Sequence, residues 1–272
     1  MSEPLPPDLA SALLHAADRL DAWAGVHFFT EVDSTNDIAL SLAARGAVEG
    51  ASVLADLQRA GRGRRGRTWF SPAGAGLYLS VVLRPGSGSD GLTLLTLGAG
   101  VAAARAVSAA GGLPVELKWP NDLVIGRPWR KLGGVLCETI GVGATVEAVV
   151  AGIGINLTPA AYPPEIAHRA TSVEAELGRP VDRAQMVVEL LVALRAMMAR
   201  LRAGDRAAVC DEWRRLGAAG LGGAAVRWHD HDRERRGRAR DIDATGALVV
   251  ESDGGIEHLI AGEVTWEQLS RE

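Results

Sequence analysis

The sequence predicts an α/β protein in two parts, a larger domain over residues 1–217 and a small β-rich domain over residues 222–272. As far as residue 216, segments with helical apolar periodicity alternate with short apolar segments typical of strands. The composition then changes to the glycine-rich stretch 217–223, and four short strand candidates follow it. These last residues number about 50, the size of a small β-barrel.

The elements of the larger part follow from apolar spacing and from turn residues. Helix candidates share apolar residues at three- and four-residue spacing, and they cover residues 8–21, 35–46, 93–110, 182–202 and 205–216. Strand candidates are apolar or alternating, and they cover residues 25–32, 51–57, 76–83, 115–118, 123–125, 132–138 and 145–155. Turns are expected at 84–86 and 141–143, and the small part offers strands at 225–228, 236–242, 247–251 and 255–259.

Composition excludes several classes of protein. A net charge of −4 and a pI of about 5.9 argue against a dedicated nucleic-acid binder. The N-terminus lacks the basic start and apolar centre of a secretory signal, and no apolar run approaches the length of a membrane span, so we expect a cytoplasmic protein. Cys137 and Cys210 have no metal-ligand spacing and are expected to be reduced.

The basic residues are almost all arginine. Of 29, only Lys118 and Lys131 are lysine. A lysine ammonium is a compact point charge with a tunable pKa, whereas the arginine guanidinium is a permanent planar cation. The two lysines are therefore candidates for chemistry that arginine cannot perform; the alternative is a drift of composition toward arginine that left two lysines by chance.

The most unusual segment is 58–69, which holds five arginines and three glycines between Arg59 and Arg67. Gly61, Gly63 and Gly66 match a dinucleotide-binding spacing, but no helix is predicted after them, so that interpretation fails. Arginines this dense repel one another, and we expect a mobile loop that orders around an anion such as a polyphosphate. A solvated charged loop, or a contact with RNA or DNA, is the alternative, although thin aromatic content disfavours nucleic acid.

Three further stretches place polar groups at strand ends or beside bare backbone. Residues 118–122 combine a cation, a stackable indole, an amide and a carboxylate, as ligand-holding turns do; a simple Asn-Asp turn is the alternative. Lys131 precedes Gly133 and Gly134 inside a strand, a pattern that marks close approach by a ligand or another backbone. Residues 152–157 form an apolar strand that ends at Asn156.

In this order, the stretches 33–36, 58–69, 118–122, 131–138 and 152–157 resemble the biotin protein ligase family. They span about 125 residues and include both lysines; each match is modest, but five in order are specific. The resemblance implies a mixed-sheet catalytic domain of the biotin/lipoate ligase type, followed by a small Src-homology-3-like β-barrel. It also implies the monofunctional type, since only 33 residues precede Ser34, too few for an N-terminal DNA-binding domain.

Site residues carry over from the family's motifs onto this sequence. Biotin-binding residues implied by the resemblance are Ser34, Thr35, Asn36, Gln58, Arg62, Gly63, Arg64, Lys131, Gly133 and Gly134. ATP-binding residues implied in the same way are Arg62, Arg64, Arg67, Trp69, Lys118, Asn121, Asp122, Lys131 and Asn156. Lys131, Arg64 and Arg62 are expected to be catalytic, and no metal-ligating residue is predicted. Hydroxyls and amides suit a ureido group because they supply both donors and acceptors.

The implied reaction uses ATP with Mg²⁺, and biotin as the substrate. Biotinyl-5′-AMP would form first, and biotin would then pass to a lysine of a biotin carboxyl carrier protein. A lipoate-protein ligase of related fold is the nearest rival, and a non-enzymatic nucleic-acid-binding module that uses residues 58–67 is a rival of another class. We expect no DNA and no membrane partner; the arginine-rich segment 227–240 also holds acidic residues and is interpreted as a solvated hairpin.

Overall fold

The computed structural model describes residues 2–85, 91–142, 145–160, 162–230, 233–260 and 262–267. Gly86 and Gly143, which belong to the two expected turns, lie outside the described residues, as does Asp232 of the expected hairpin. The last five residues of the expected C-terminal domain, 268–272, also lie outside them. The domain limits stay a prediction.

Helices and strands alternate along the larger part, as expected from the sequence. The helices are α1 (Pro7–His15), α2 (Ala17–Leu20), α3 (Thr35–Ala44), α4 (Leu92–Gly111), α5 (Pro164–Ala167), α6 (Val173–Leu177), α7 (Arg183–Arg202) and α8 (Arg206–Leu216). The strands of the larger part are β1 (Val26–Val32), β2 (Ser52–Gln58), β3 (Gly76–Leu83), β4 (Glu116–Lys118), β5 (Asp122–Ile125), β6 (Arg130–Val142) and β7 (Thr145–Asn156). Those of the smaller part are β8 (Ala224–Asp230), β9 (Arg233–Ile242), β10 (Leu248–Ser252), β11 (Gly255–Leu259) and β12 (Val264–Trp266).

The structure differs from the sequence prediction at short elements. The single helix expected over 8–21 is interrupted at Ala16, whose ψ of 8° leaves the helical region, so that α1 and α2 are separate. Neither α5, α6 nor β12 was predicted, because elements of three to five residues are too short to show an apolar period. In addition, β6 begins and ends beyond its expected limits.

The large sheet is mixed, which confirms the expected fold class. Its strand order is β1-β2-β3-β7-β6-β5-β4, in which β1 and β2 are parallel and the other pairs are antiparallel. Ala39 and Ala43 of α3 are buried in one apolar cluster with strand residues such as Val53 and Val82. The larger cluster contains α4 and α7, so the sheet lies between helical layers.

Helix α4 is the buried, small-residue helix that the sequence predicts. By length and composition alone, α4 could also cross a membrane. The expectation that no apolar run approaches the length of a membrane span was therefore wrong for this helix. Of the 18 most apolar consecutive residues of α4, 67% are buried inside the protein, chiefly against α7. Burial of this kind is that of a core helix in a folded domain.

The smaller part is an antiparallel sheet in the order β11-β10-β9-β8-β12, which fits the expected small β-barrel-like domain. Trp119 connects it to the larger part, because the indole N–H donates to the carbonyl of Gly246 at 3.0 Å. Only 1% of Trp119 is exposed. The N–H of this indole is therefore used inside the protein, and the expected stacking of its ring on a ligand stays a prediction.

The turn that receives Trp119 depends on Asp243, which yields a prediction about pH. Burial alone raises the pKa of Asp243, but hydrogen bonds from Thr245, His258 and Ala247 outweigh it and lower the pKa to about 2. The ionised carboxylate therefore stabilises the fold above its unfolded pKa of about 4, and this contribution is lost as the pH falls to about 2.

We expect Asp243→Asn to lower the free energy of unfolding at neutral pH by about 1–2 kcal/mol, measured by urea denaturation. The difference from the unsubstituted protein should shrink between about pH 4 and pH 2. Asp253→Asn is the matched control, because it removes the same charge from an exposed turn. A difference that persisted unchanged in acid would contradict this account.

Candidate active site

A cleft of about 810 Å³ opens where the larger and smaller parts meet. Its size is that of a small-molecule site. With Gly133 as the exception, every site residue expected from the sequence lines this cleft. Side chains of the smaller part, among them Arg227 and Glu263, line it as well, so the site is completed by both parts.

One end of the cleft is formed by hydroxyls and amides at the start of α3. Ser34 is the N-cap residue, but its hydroxyl makes no capping hydrogen bond. The side chain of Gln58, at the end of β2, takes that role: its Oε1 accepts from the backbone N–H of Thr35 at 2.9 Å. Because Gln58 binds this N–H from the end of β2, the Ser34 hydroxyl is not used as a cap. Ser34 as a whole is 3% exposed and lines the cleft.

Two serines that the sequence interpretation missed hold this end in place. Gln58 Nε2 donates to Ser71 Oγ at 2.9 Å, which fixes the orientation of the Gln58 amide. Ser80 Oγ lies 2.8 Å from Thr35 Oγ1 and 2.5 Å from Asn36 Oδ1. The sequence did contain a signal for Ser80. Apart from Tyr78, Ser80 is the only residue with a hydroxyl in the otherwise apolar strand β3.

The arginine loop, residues 59–67, is not a cluster of bare like charges. Its basic side chains are matched by carboxylates from distant parts of the chain, in the pairs Arg59–Asp33, Arg62–Asp37, Arg62–Glu138 and Arg67–Glu263. The prediction that the arginines of this loop repel one another is therefore wrong for Arg59, Arg62 and Arg67. Arg62 in particular points to acidic groups of α3 and β6, so its catalytic role stays a prediction.

Arg64 is the arginine of the loop that the protein buries most. Burial lowers its pKa, and the neighbouring charge of Arg65 lowers it further. Its Nη1 donates to Asn121 Oδ1 at 3.4 Å, across the cleft from the loop. A guanidinium stays protonated despite such a shift, so Arg64 brings a partly desolvated positive charge to the wall that also holds Asp122.

Lys131 brings the second cation to this region. Its Nζ forms an ion pair with Asp122 Oδ1 at 2.5 Å and lies 5.3 Å from the centre of the Trp69 ring. Its backbone pairs with a segment that the sequence interpretation missed, since Lys131 N–H donates to the Arg169 carbonyl at 2.7 Å. Lys118 lies 5.7 Å from the Trp266 ring, and burial lowers its pKa.

The strand glycines make room for Trp69. A Cβ on Gly154 would lie 2.5 Å from two atoms of the indole, and one on Gly134 would lie 3.4 Å from it. Gly133 faces elsewhere, since a Cβ there would be 2.8 Å from the Gly154 carbonyl oxygen. Strand packing therefore explains Gly133, and its expected contact with biotin stays a prediction.

The two asparagines expected on the ATP side are held by backbone carbonyls. Asn121 Nδ2 donates to Val135 O at 2.8 Å, and Asn156 Nδ2 donates to Thr171 O at 2.9 Å. These hydrogen bonds fix the turn 118–122 and the end of β7 against their neighbours. Both residues line the cleft, and the amide oxygen of Asn121 accepts from Arg64.

Comparison with known proteins identifies the family. The Biotin/lipoate A/B protein ligase family model matches residues 28–156, and the Biotin protein ligase C terminal domain matches residues 222–265. Among curated relatives, the biotin--[acetyl-CoA-carboxylase] ligase of Paracoccus denitrificans is 37% identical over 239 residues, which cover 85% of this chain and 96% of that protein. The corresponding ligase of Mycobacterium tuberculosis is 33% identical over 248 residues, or 89% of each chain.

Solved structures agree with these relatives. The biotin protein ligase from Aquifex aeolicus in complex with biotin and ATP has a TM-score of 0.76 and 27% identity, and the match covers 89% of this chain and 97% of that one. The fold, the small C-terminal sheet and the sequence relatives all lead to the same conclusion: this chain belongs to the biotin protein ligase family.

Proposed function

We propose that this protein joins biotin to ATP, forming biotinyl-5′-AMP and pyrophosphate, and then transfers biotin to a lysine of a biotin carboxyl carrier protein. One observation carries the proposal: a single cleft contains both a hydroxyl and amide end around Thr35 and Gln58, and a cationic end around Lys131 and Arg64. The first end suits a ureido ring, and the second suits a carboxylate beside a phosphate. The cytoplasmic location stays a prediction.

In the first step, an oxygen of the biotin carboxylate attacks the α-phosphorus of ATP, and pyrophosphate leaves with the electron pair of the broken P–O bond. Negative charge grows on the phosphoryl oxygens during this displacement. Lys131 and Arg64 are the cations that we assign to it, because both lie at the cleft wall near Asp122. Preorganised charges of this kind are usually the largest contribution to catalysis.

Mg²⁺ is expected to enter with ATP rather than in a site built by the protein alone. Among the described residues no group of three or more His, Cys, Asp or Glu side chains is arranged to hold a metal ion. Asp122 and Glu263 are the carboxylates that line the cleft, and one or two carboxylates with phosphate oxygens and water are a donor set that Mg²⁺ accepts. When bound, the ion supplies positive charge to the phosphate oxygens.

In the second step, a neutral lysine amine of the carrier attacks the acyl carbon of the adenylate, and AMP leaves. The amine must lose a proton, and Asp122 is our candidate acceptor because its carboxylate lines the cleft beside the cations assigned to the adenylate. Water would hydrolyse the same mixed anhydride. We assign the arginine loop to exclude it, since Arg62 and Arg67 already connect the loop to both sides of the cleft.

The direct test is mass spectrometry after the protein is mixed with biotin and Mg-ATP. We expect biotinyl-5′-AMP and an equal amount of pyrophosphate, and the mass of a biotinylated lysine after a carrier domain is added. Lipoate in place of biotin should give no adenylate above background. If lipoate reacts and biotin does not, the chain is a lipoate ligase. If neither reacts and the protein is retained on nucleic acid in a salt-sensitive manner, the binding module is correct.

A further inference from the structure

Beyond its ion pair with Arg62, Glu138 has no role in the reaction described above, yet its carboxylate reaches the hydroxyl and amide end of the cleft. It lies on β6, and its Oε2 accepts from Asn36 Nδ2 at 2.6 Å and from Arg62 Nη2 at 2.8 Å. Asn36 is 4% exposed, so its few protein partners decide its hydrogen bonding. Glu138 thus joins the start of α3 to the arginine loop.

The partners of Asn36 settle which way its amide points. The Glu138 carboxylate and the Leu136 carbonyl, 3.4 Å away, only accept hydrogen bonds, so the NH₂ group must face them. The amide oxygen then faces Ser80 Oγ at 2.5 Å. Gly152 provides the space, because a Cβ there would lie 2.1 Å from that oxygen.

This orientation fixes the direction of the next hydrogen bonds. Because Asn36 Oδ1 can only accept, Ser80 gives its single proton to it and has none left for Thr35. Two internal acceptors are then within reach of the Thr35 hydroxyl proton, Ser80 Oγ at 2.8 Å and Gln58 Oε1 at 3.1 Å. In either arrangement that proton is used inside the protein, and Thr35 offers the cleft a lone pair.

We propose that Glu138 is a positioning residue that sets this direction, so that Thr35 accepts a hydrogen bond from the substrate ring. The proposal rests on the proposed function and deepens it: the cleft selects a cyclic urea, whose N–H groups donate, over a ring of the same shape that lacks the donor. Without an acceptor at position 138, only the longer contact with the Leu136 carbonyl at 3.4 Å holds the Asn36 amide, and the amide can turn over. Ser80 can then donate to Thr35, which fills one of the two lone pairs of the Thr35 oxygen and makes that oxygen a poorer acceptor for the substrate.

The test compares biotin with its two cyclic carbamate isosteres, in each of which oxygen replaces one ureido N–H. Isothermal titration of the full chain should show that biotin binds at least about tenfold more tightly than the more weakly bound carbamate. In the complex with that carbamate, the Thr35 oxygen has no N–H to accept from and is left buried and unpaired. In Glu138→Gln and Glu138→Met this ratio should fall at least about threefold, because a side-chain amide can face Asn36 either way and a thioether accepts only weakly.

Asp37→Asn is the matched control, because Asp37 also pairs with Arg62 Nη2 at 2.8 Å, while no hydrogen bond joins it to Asn36 among the described residues. It should keep the unsubstituted ratio. Equal binding of biotin and both carbamates by the unsubstituted protein, an unchanged ratio in both Glu138 variants, or the same loss in Asp37→Asn would each overturn the proposal. Absence of biotinyl-5′-AMP in the separate mass assay would instead overturn the proposed function.

Discussion

Lys131→Ala should form biotinyl-5′-AMP at least about tenfold more slowly than the unsubstituted protein, and up to about 10³-fold more slowly. The ammonium lies 2.5 Å from Asp122 and faces the cleft, where we place the phosphate undergoing attack. Removing it leaves growing negative charge without its nearest compact cation. It also leaves the Asp122 carboxylate without its ion-pair partner, which adds repulsion toward an anionic substrate.

The measurement is pyrophosphate release under saturating biotin and ATP, so that a change in binding does not hide the chemical step. Lys131→Arg tests whether charge alone is enough; a planar guanidinium on a longer side chain should recover only part of the rate. Arg19→Ala is the control for folding, because Arg19 pairs with Glu189 and does not line the cleft. An unchanged rate in Lys131→Ala would remove Lys131 from the catalytic groups.

Gly154→Ala is the second substitution with a large expected effect. The added methyl would meet the Trp69 indole at 2.5 Å, so the ring must move. The backbone N–H of Trp69 donates to Gly61 O at 2.8 Å, and the backbone carbonyl of Trp69 accepts from Ser71 Oγ at 3.0 Å. A displaced indole therefore carries the arginine loop with it. Overpacking costs about 1–3 kcal/mol. If this cost falls on the active arrangement of the cleft, kcat/KM for adenylate formation should fall about ten- to hundredfold.

Gly100→Ala provides the matched comparison, because Gly100 is buried too but its added methyl would be 3.6 Å from the nearest atom, in Leu117. Gly100 lies inside α4, where alanine is preferred to glycine by about 0.5–1 kcal/mol. We expect this variant to keep full activity and to unfold at a slightly higher urea concentration. Unchanged kinetics in Gly154→Ala would show that Trp69 moves without disturbing the loop.

What the sequence predicted well depended on local pattern. The long helices α4 and α7 and the strands β2 and β3 have enough apolar residues in register to be recognised alone. The site stretches were recognisable because their polar groups are consecutive, as in residues 118–122. Their order along the chain then led to the family.

What the sequence could not provide depended on contacts between distant residues. The carboxylates that neutralise the arginine loop come from Asp37 and Glu138, and from Glu263 at the far end of the chain, and no local pattern links them. The same holds for Trp119, whose partner is the Gly246 carbonyl 127 residues away. Amide orientation at Asn36 follows only when Glu138, Leu136 and Ser80 are placed together.

The pairing of Lys131 and Arg67 with internal carboxylates has a consequence for how anions enter. Lys131 is paired with Asp122, and Arg67 is paired with Glu263. An arriving carboxylate or phosphate therefore displaces a resident counter-ion instead of meeting an uncompensated charge. At these two side chains one carboxylate or phosphate replaces another as the partner of the cation. The affinity for the anion should therefore depend less on ionic strength than the number of arginines suggests.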